Sequence, residues 1–196
     1  LTISAGVGDT VALDRLTIAG GQTSGEGGGI QLTSGATLNL TNSTVRNNAS
    51  TTSSGGGIYL FGSTLNVTNS TFSGNTSFNY GGAIESSNAN AISILNSTFA
   101  NNTSQYGGAL DLDHTQTTIT NSTISGNAAT TGGGVYISSY YNGPGKRPSV
   151  AEGEGDRPAT IISSTIVNNS ADVSNGEGGG VFSVRSTTIS DSIVSG

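Results

Sequence analysis

The sequence predicts an all-β solenoid of about six to seven stacked coils, with three short strands in each coil. Two short motifs alternate along nearly the whole chain, and apolar residues recur with a period of two. No segment shows the period of about 3.6 residues that marks a helix. Only 9% of the 196 residues are charged and 3 are proline, so the chain also lacks the composition of a typical disordered protein.

The first motif is an Asn-Ser-Thr triplet that follows a short strand. In TLNLTNST, Leu38 and Leu40 alternate with polar residues, which indicates a strand with one buried face. The motif recurs about every 27 residues, with an insertion of about 17 residues before its sixth copy. The anchor positions are Arg15, Asn42, Asn69, Asn96, Asn121, Ser163 and Asp191. We expect four of them, Asn42, Asn69, Asn96 and Asn121, to form a buried ladder of side-chain amides at one corner.

An apolar residue follows each triplet and predicts a core column. Each such residue would lie over its counterpart one coil away, about 4.8 Å distant. The members of this column are Val45, Phe72, Phe99, Ile124 and Ile166.

The second motif is a Gly-Gly pair that precedes another strand, as in GGAI at 81–84 and GGAL at 107–110. Glycine allows tight turns and positive φ angles. The predicted turn glycines are Gly56, Gly82, Gly108, Gly133 and Gly179.

The repeat covers the chain and predicts one β-solenoid domain over residues 1–196, interrupted by an insertion at about 140–158. All three prolines and Lys146, the only lysine, fall in this insertion. We expect it to project from the rod, either to bind a partner or as a tolerated loop.

These motifs resemble a known family. The alternation of GGA[IL] and FxxN is similar to the polymorphic outer-membrane-protein repeat, with the best matches at Phe72–Asn75 with Gly81–Ile84 and at Phe99–Asn102 with Gly107–Leu110. The wider pattern resembles bacterial secreted proteins with a right-handed parallel β-helix. The resemblance implies a right-handed β-solenoid at a cell surface, used as the stalk or passenger of an adhesin.

Charge argues against several classes of partner. The net charge is -6, whereas nucleic acids and anionic membranes are bound by basic surfaces. No apolar run approaches the roughly 18 residues of a membrane span. Because the chain has no cysteine, it forms no disulfide and no thiolate metal site.

The candidates for chemistry are acidic. Glu85 and Asp111 occupy equivalent positions after the Gly-Gly motif, and Asp113 and His114 follow closely. Strand alternation directs Glu85 and Asp111 away from the core, where they are either solvated side chains or a carboxylate cluster that binds a ligand or cation. An outward aromatic row at Tyr59, Tyr136 and Phe182 would either stack on sugar rings or be ordinary exposed side chains.

The function that these observations favour is non-enzymatic. We expect an extracellular structural module, either a fibre subunit that stacks end to end with copies of itself or the stalk of an adhesin that contacts surface or matrix glycans. The motif continues to both ends without a capping helix, which favours stacking. We expect no cofactor. The alternative is a carbohydrate-binding or polysaccharide-cleaving β-helix that uses the acidic face, with Ca²⁺ as the ion that the face would hold.

Overall fold

The computed structural model describes residues 1–33, 35–138, 157–172 and 178–195. Within these ranges the chain consists of short strands joined by turns, with no helix. In chain order the strands are β1 (Thr2–Ile3), β2 (Thr10–Asp14), β3 (Thr17–Ala19), β4 (Gln22–Thr23), β5 (Ile30–Leu32), β6 (Thr37–Thr41), β7 (Thr44–Arg46), β8 (Ala49–Ser50), β9 (Ile58–Phe61), β10 (Thr64–Thr68), β11 (Thr71–Ser73), β12 (Thr76–Ser77), β13 (Ile84–Ser87), β14 (Ala91–Leu95), β15 (Thr98–Ala100), β16 (Leu110–Asp113), β17 (Gln116–Thr120), β18 (Thr123–Ser125), β19 (Ala128–Ala129), β20 (Val135–Ser138), β21 (Ala159–Ile162), β22 (Thr165–Val167), β23 (Ser170–Ala171), β24 (Val181–Ser183), β25 (Thr187–Ser190) and β26 (Ile193–Ser195).

Three parallel sheets run the length of the described chain, and each contains one strand from every coil. Sheet A has the order β1-β5-β9-β13-β16-β20-β24, and sheet B has the order β2-β6-β10-β14-β17-β21-β25. Sheet C has the order β26-β22-β18-β15-β11-β7-β3. The predicted solenoid with three strands per coil is therefore confirmed. Two-residue strands such as β8 and β12 add a short fourth segment to several coils, which the sequence analysis missed.

The predicted core column is confirmed. Phe72 pairs in register with Val45 and Phe99, and Phe99 pairs with Ile124. Each of these side chains has 0% exposure, as does Ile166. The rings of Phe72 and Phe99 are stacked with their centroids 4.8 Å apart, which is the spacing of the strands themselves.

The first Asn of each triplet is not buried, and this part of the prediction is wrong. The side chains of Asn42, Asn69, Asn96 and Asn121 are exposed. Hydrogen bonds do join two neighbouring pairs, from Asn69 to Asn42 at 3.4 Å and from Asn121 to Asn96 at 2.7 Å. All seven anchor residues have φ between 48° and 54°. The anchor is therefore a left-handed corner of the coil, a conformation that Asn adopts at low cost.

The buried amide ladder lies six residues further along the chain. Each member except the last donates its side-chain N–H to the Oδ1 of the member in the next coil, as from Asn75 to Asn102 at 3.0 Å and from Asn102 to Asn127 at 2.9 Å. The members are Asn48, Asn75, Asn102, Asn127 and Asn169. Each Oδ1 also accepts the backbone N–H of the preceding coil, as Asn75 does from Asn48 at 3.1 Å. The ladder thus joins the coils through the interior.

The triplet serine forms a second internal ladder. The backbone N–H of Ser43 donates to the hydroxyl of Ser70 at 3.1 Å, and Ser70 does the same to Ser97. Each hydroxyl also donates within its own coil, as Ser70 does to the Thr68 carbonyl at 2.9 Å. In each Asn-Ser-Thr triplet, Asn therefore turns the chain, Ser bonds adjacent coils and Thr begins a strand of sheet C.

The predicted turn glycines are needed for close packing. In the Gly-Gly pair the first residue has positive φ, as at Gly81 with 58°. The second does not, but a Cβ on Gly82 would collide with the Gly108 carbonyl oxygen of the next coil and lie 2.7 Å from the Thr103 backbone nitrogen. The same crowding by backbone atoms occurs at Gly56, Gly108, Gly133 and Gly179.

The predicted insertion lies largely outside the described residues. Strand β20 of sheet A ends at Ser138. The chain is paired with the solenoid again at Pro158, whose carbonyl accepts the Thr117 N–H at 3.2 Å. Arg157 and Pro158 are the residues of the predicted insertion that the structure describes, and the next residue, Ala159, begins β21.

Candidate functional site

The acidic residues lie together on the outer side of sheet A. Glu85 in β13 pairs in register with Asp111 in β16, and both point away from the core column, as predicted. Their row continues with Tyr59 in β9 and Tyr136 in β20. The two carboxyls therefore leave the same face of adjacent parallel strands, which lie about 4.8 Å apart.

The acidic side chains are buried, so the interpretation of solvated residues on an outer face is wrong. Glu85 is 2% exposed, Asp111 is 1% exposed and Asp113 is 5% exposed. Glu85 Oε2 and Asp111 Oδ1 have no hydrogen-bond partner. Burial raises the pKa of Glu85 well above its ordinary value, and the negative charges of Asp111 and Asp113 add to the effect. Burial likewise raises the pKa of Asp111, with Asp113 adding to it and Arg185 opposing it.

Asp113 has partners that the other two carboxyls lack. Its Oδ1 lies 2.9 Å from His114 Nδ1 and accepts the Ser138 hydroxyl at 3.4 Å. Burial raises the pKa of Asp113, while His114 and then Arg185 pull it down. His114 itself stands at a left-handed corner with φ of 46°, the position that Asn88 holds one coil earlier. Asp113 and His114 thus form a hydrogen-bonded pair at the edge of the acidic cluster.

Two arginines bind backbone carbonyls where the insertion interrupts the coils. Arg157 Nη1 donates to the carbonyls of Ala89 at 2.9 Å and His114 at 3.3 Å. Arg185 Nη2 donates to the Leu112 carbonyl at 2.8 Å, and its Nη1 donates to the Arg157 carbonyl at 2.8 Å. Each guanidinium reaches across coils, so these side chains supply donors to carbonyls at the corner beside the acidic cluster.

Aromatic rings flank the acidic cluster in a stack along the rod. The rings of Tyr80 and Tyr106 are stacked at 5.1 Å between centroids, and Tyr136 and Phe182 are stacked at 5.2 Å. Tyr106 and Tyr136 join the two pairs at 5.5 Å with tilted planes. Tyr59, at 6% exposure, is buried. Because the rings cover one another's faces, they do not offer the row of open ring faces that sugar stacking requires.

No group of three or more His, Asp or Glu side chains in the described parts of the chain converges to hold a metal ion. The candidate ligands for Ca²⁺ are therefore the two adjacent carboxyls of Glu85 and Asp111, because Asp113 is hydrogen-bonded to His114. Among residues 1–33, 35–138, 157–172 and 178–195, no helix is long and apolar enough to cross a membrane.

Parallel strands in strict register, internal polar ladders and a continuous apolar column together define a parallel β-solenoid repeat protein. Comparison with protein families agrees, since the model of the right-handed β-helix region matches residues 28–196. The chain therefore belongs to the right-handed β-helix family. No curated protein and no solved structure gives a match.

Proposed function

We propose that this chain is a structural module of an extracellular β-solenoid, in which coils add end to end to extend a rigid rod. The observation that carries the proposal is the contrast between inner and end coils. Val194 and Ile189 are 45% and 42% exposed, whereas Ile166 and Ile161, their partners in register, are buried. The last described coil therefore exposes apolar side chains of the kind that are buried in the inner coils.

The first coil offers a matching surface. Ile18 and Leu13, at the other end of the same two columns, are only partly buried. A further coil placed on either end face would cover apolar columns and pair the free strand edges. In a fibre that coil belongs to a second copy, whereas in a stalk it belongs to a longer polypeptide. An extracellular location and contacts with surface glycans belong to this proposal through the resemblance to secreted β-helix proteins.

The carbohydrate-binding or carbohydrate-cleaving alternative draws less support. It needs carboxylates that reach a polysaccharide on the outer face, and Glu85 and Asp111 are buried. It also needs open aromatic faces, and Tyr136 is covered by Phe182 on one side and contacted by Tyr106.

The experiment is negative-stain electron microscopy with light scattering at two protein concentrations, comparing wild type with Val194→Asp and Phe78→Asp. We expect rods that lengthen with concentration for the wild type, and short rods for Val194→Asp, because a charge on the end column opposes stacking. Phe78 is the control because it is 64% exposed on an inner coil, away from both end faces. Strictly monomeric wild type at both concentrations would contradict the fibre form and favour the stalk.

A further inference from the structure

Sheet A contains a pair of carboxyls that its surroundings do not neutralise. Glu85 and Asp111 are 2% and 1% exposed, and one oxygen of each lacks any hydrogen-bond partner. A buried ionised carboxylate without partners is costly, and two of them on neighbouring strands repel each other as well. Native proteins rarely leave such groups unsatisfied, so the pair requires a further explanation.

The groups around the pair do not supply enough positive charge. Every described charge that acts on Glu85 is negative, from Asp111, Asp113 and Glu26. Arg185 lowers the pKa of Asp111 and Asp113, but it is one cation that acts on two carboxyls, and it is not among the charges that act on Glu85.

The remaining titratable neighbours do not add the positive charge that the pair lacks. His114 is paired with Asp113. The phenols of Tyr59, Tyr80 and Tyr136 carry no positive charge in either protonation state. Burial raises the pKa of Tyr80, and the negative charges of Asp111 and Glu85 add to this effect.

We propose that Glu85 and Asp111 share one proton at neutral pH, so that the stability of the contact between β13 and β16 depends on pH. A proton on either carboxyl can be donated to the other, because both side chains leave the same face of strands paired in register. This hydrogen bond satisfies the two orphaned oxygens and removes one of the two buried charges. A proton also requires no cavity, which suits side chains with almost no exposed surface.

The direction of the pH effect follows from linkage. The ordinary pKa values are 4.5 for Glu85 and 3.8 for Asp111, and both are raised in the folded protein. Between the unfolded and folded pKa values the folded state binds more protons, so stability falls as pH rises. The stabilisation is fully present below the unfolded values and is lost as pH rises through the folded values. Alkaline solution therefore weakens the contact between these two coils.

The test measures the melting temperature of wild type, Glu85→Gln, Asp111→Asn and Asp14→Asn between about pH 5 and about pH 8. We expect the wild-type melting temperature to fall across this range. Both amide variants should show a smaller fall and should melt above wild type at the alkaline end. Asp14→Asn is the control because Asp14 is exposed on sheet B, with hydrogen bonds from Thr41 and Asn42 that lower its pKa.

Infrared spectroscopy of the folded wild type gives a direct reading that does not depend on any variant folding. A protonated-carboxyl C=O band that persists at neutral pH in the wild type would support the shared proton. Absence of that band at neutral pH would overturn the proposal, as would a wild-type melting temperature that is flat or rises with pH. Addition of Ca²⁺ at neutral pH gives a third reading. A rise in the melting temperature that is absent in Asp111→Asn would show that a metal ion, rather than a proton, neutralises the pair.

Discussion

Replacement of Asn75 by alanine tests the internal amide ladder directly. The Oδ1 of Asn75 accepts hydrogen bonds from the backbone N–H and the side-chain amide of Asn48, at 3.1 and 3.0 Å. Its Nδ2 donates to the Val45 carbonyl at 2.9 Å and to Asn102 Oδ1 at 3.0 Å. Alanine removes all four bonds from a site with 0% exposure, where water cannot replace them.

The expected loss follows from these partners. Four hydrogen bonds at about 0.5–1.5 kcal/mol each give a loss of about 2–6 kcal/mol in the free energy of unfolding. Two partners retain another bond, since the Asn48 side-chain amide still donates to the Ile18 carbonyl and Asn102 Oδ1 still accepts the residue 75 backbone N–H. The Asn48 backbone N–H loses its acceptor, and a buried unsatisfied N–H costs about 1–3 kcal/mol. We therefore expect a loss of about 4 kcal/mol.

Asn69→Gly is the matched control. Asn69 is an exposed corner residue with φ of 49°, a conformation that glycine adopts freely, and its side-chain hydrogen bond to Asn42 is long at 3.4 Å. We expect this change to alter the free energy of unfolding by less than about 0.5 kcal/mol. Urea denaturation followed by circular dichroism measures both variants. Equal effects of the two changes, or a loss at Asn75 below about 0.5 kcal/mol, would refute the assignment of the ladder to the second Asn row.

Three further changes probe the packing of the coils. Phe99→Ala should lower the free energy of unfolding by about 3–5 kcal/mol, because it opens a cavity in the fully buried column; a smaller loss in urea denaturation would contradict the continuous core. Gly82→Ala should prevent normal folding because a Cβ there meets backbone atoms. Gly62→Asn should be nearly neutral, because Gly62 has φ of 61° and open space around it. Circular dichroism compares the two variants, and similar behaviour would contradict the packing argument. Arg185→Gln should accelerate hydrogen exchange around β16, since the Leu112 carbonyl loses a donor; unchanged exchange would show that this contact does not hold the corner.

The repeat made most of the fold predictable from the sequence. The motif spacing gives the length of a coil, and period-two alternation gives the faces of each strand. Residues at equivalent positions must then form columns, which is why the stack of Phe72 and Phe99 was predicted correctly. Periodicity does not show which of two repeating polar residues points inward, because both follow the same spacing. The buried ladder at Asn75 was therefore placed instead at Asn69.

A signal that separates the two Asn rows is present in the repeats themselves. The corner position accepts Arg15, Ser163 and Asp191, which indicates that a backbone conformation rather than an amide is required there. The buried position is Asn in five coils, from Asn48 to Asn169, and the residue before it alternates between Gly and Asn, as left-handed positions do.

Burial of the acidic cluster was not predictable in this way. Alternation places Glu85 and Asp111 correctly on the side of sheet A away from the core. The groups beside them come from elsewhere in the sequence, since Tyr80 belongs to the turn before β13 and Arg185 lies about three coils further along the chain. A one-dimensional pattern shows which way a side chain leaves its strand, but it does not show what covers that side chain.

The ladders and the acidic pair together bear on where such a rod would open. Each coil satisfies its buried Asn and Ser groups through its neighbours, so stability is approximately a sum of contacts between adjacent coils. In such a sum the weakest inner contact determines where the rod separates first. The contact between β13 and β16 has the same backbone pairing as its neighbours but adds two buried carboxyls, which repel each other when both are ionised. We therefore expect proton loss to weaken this contact selectively, while the core column and the Asn ladder hold the coils on either side together.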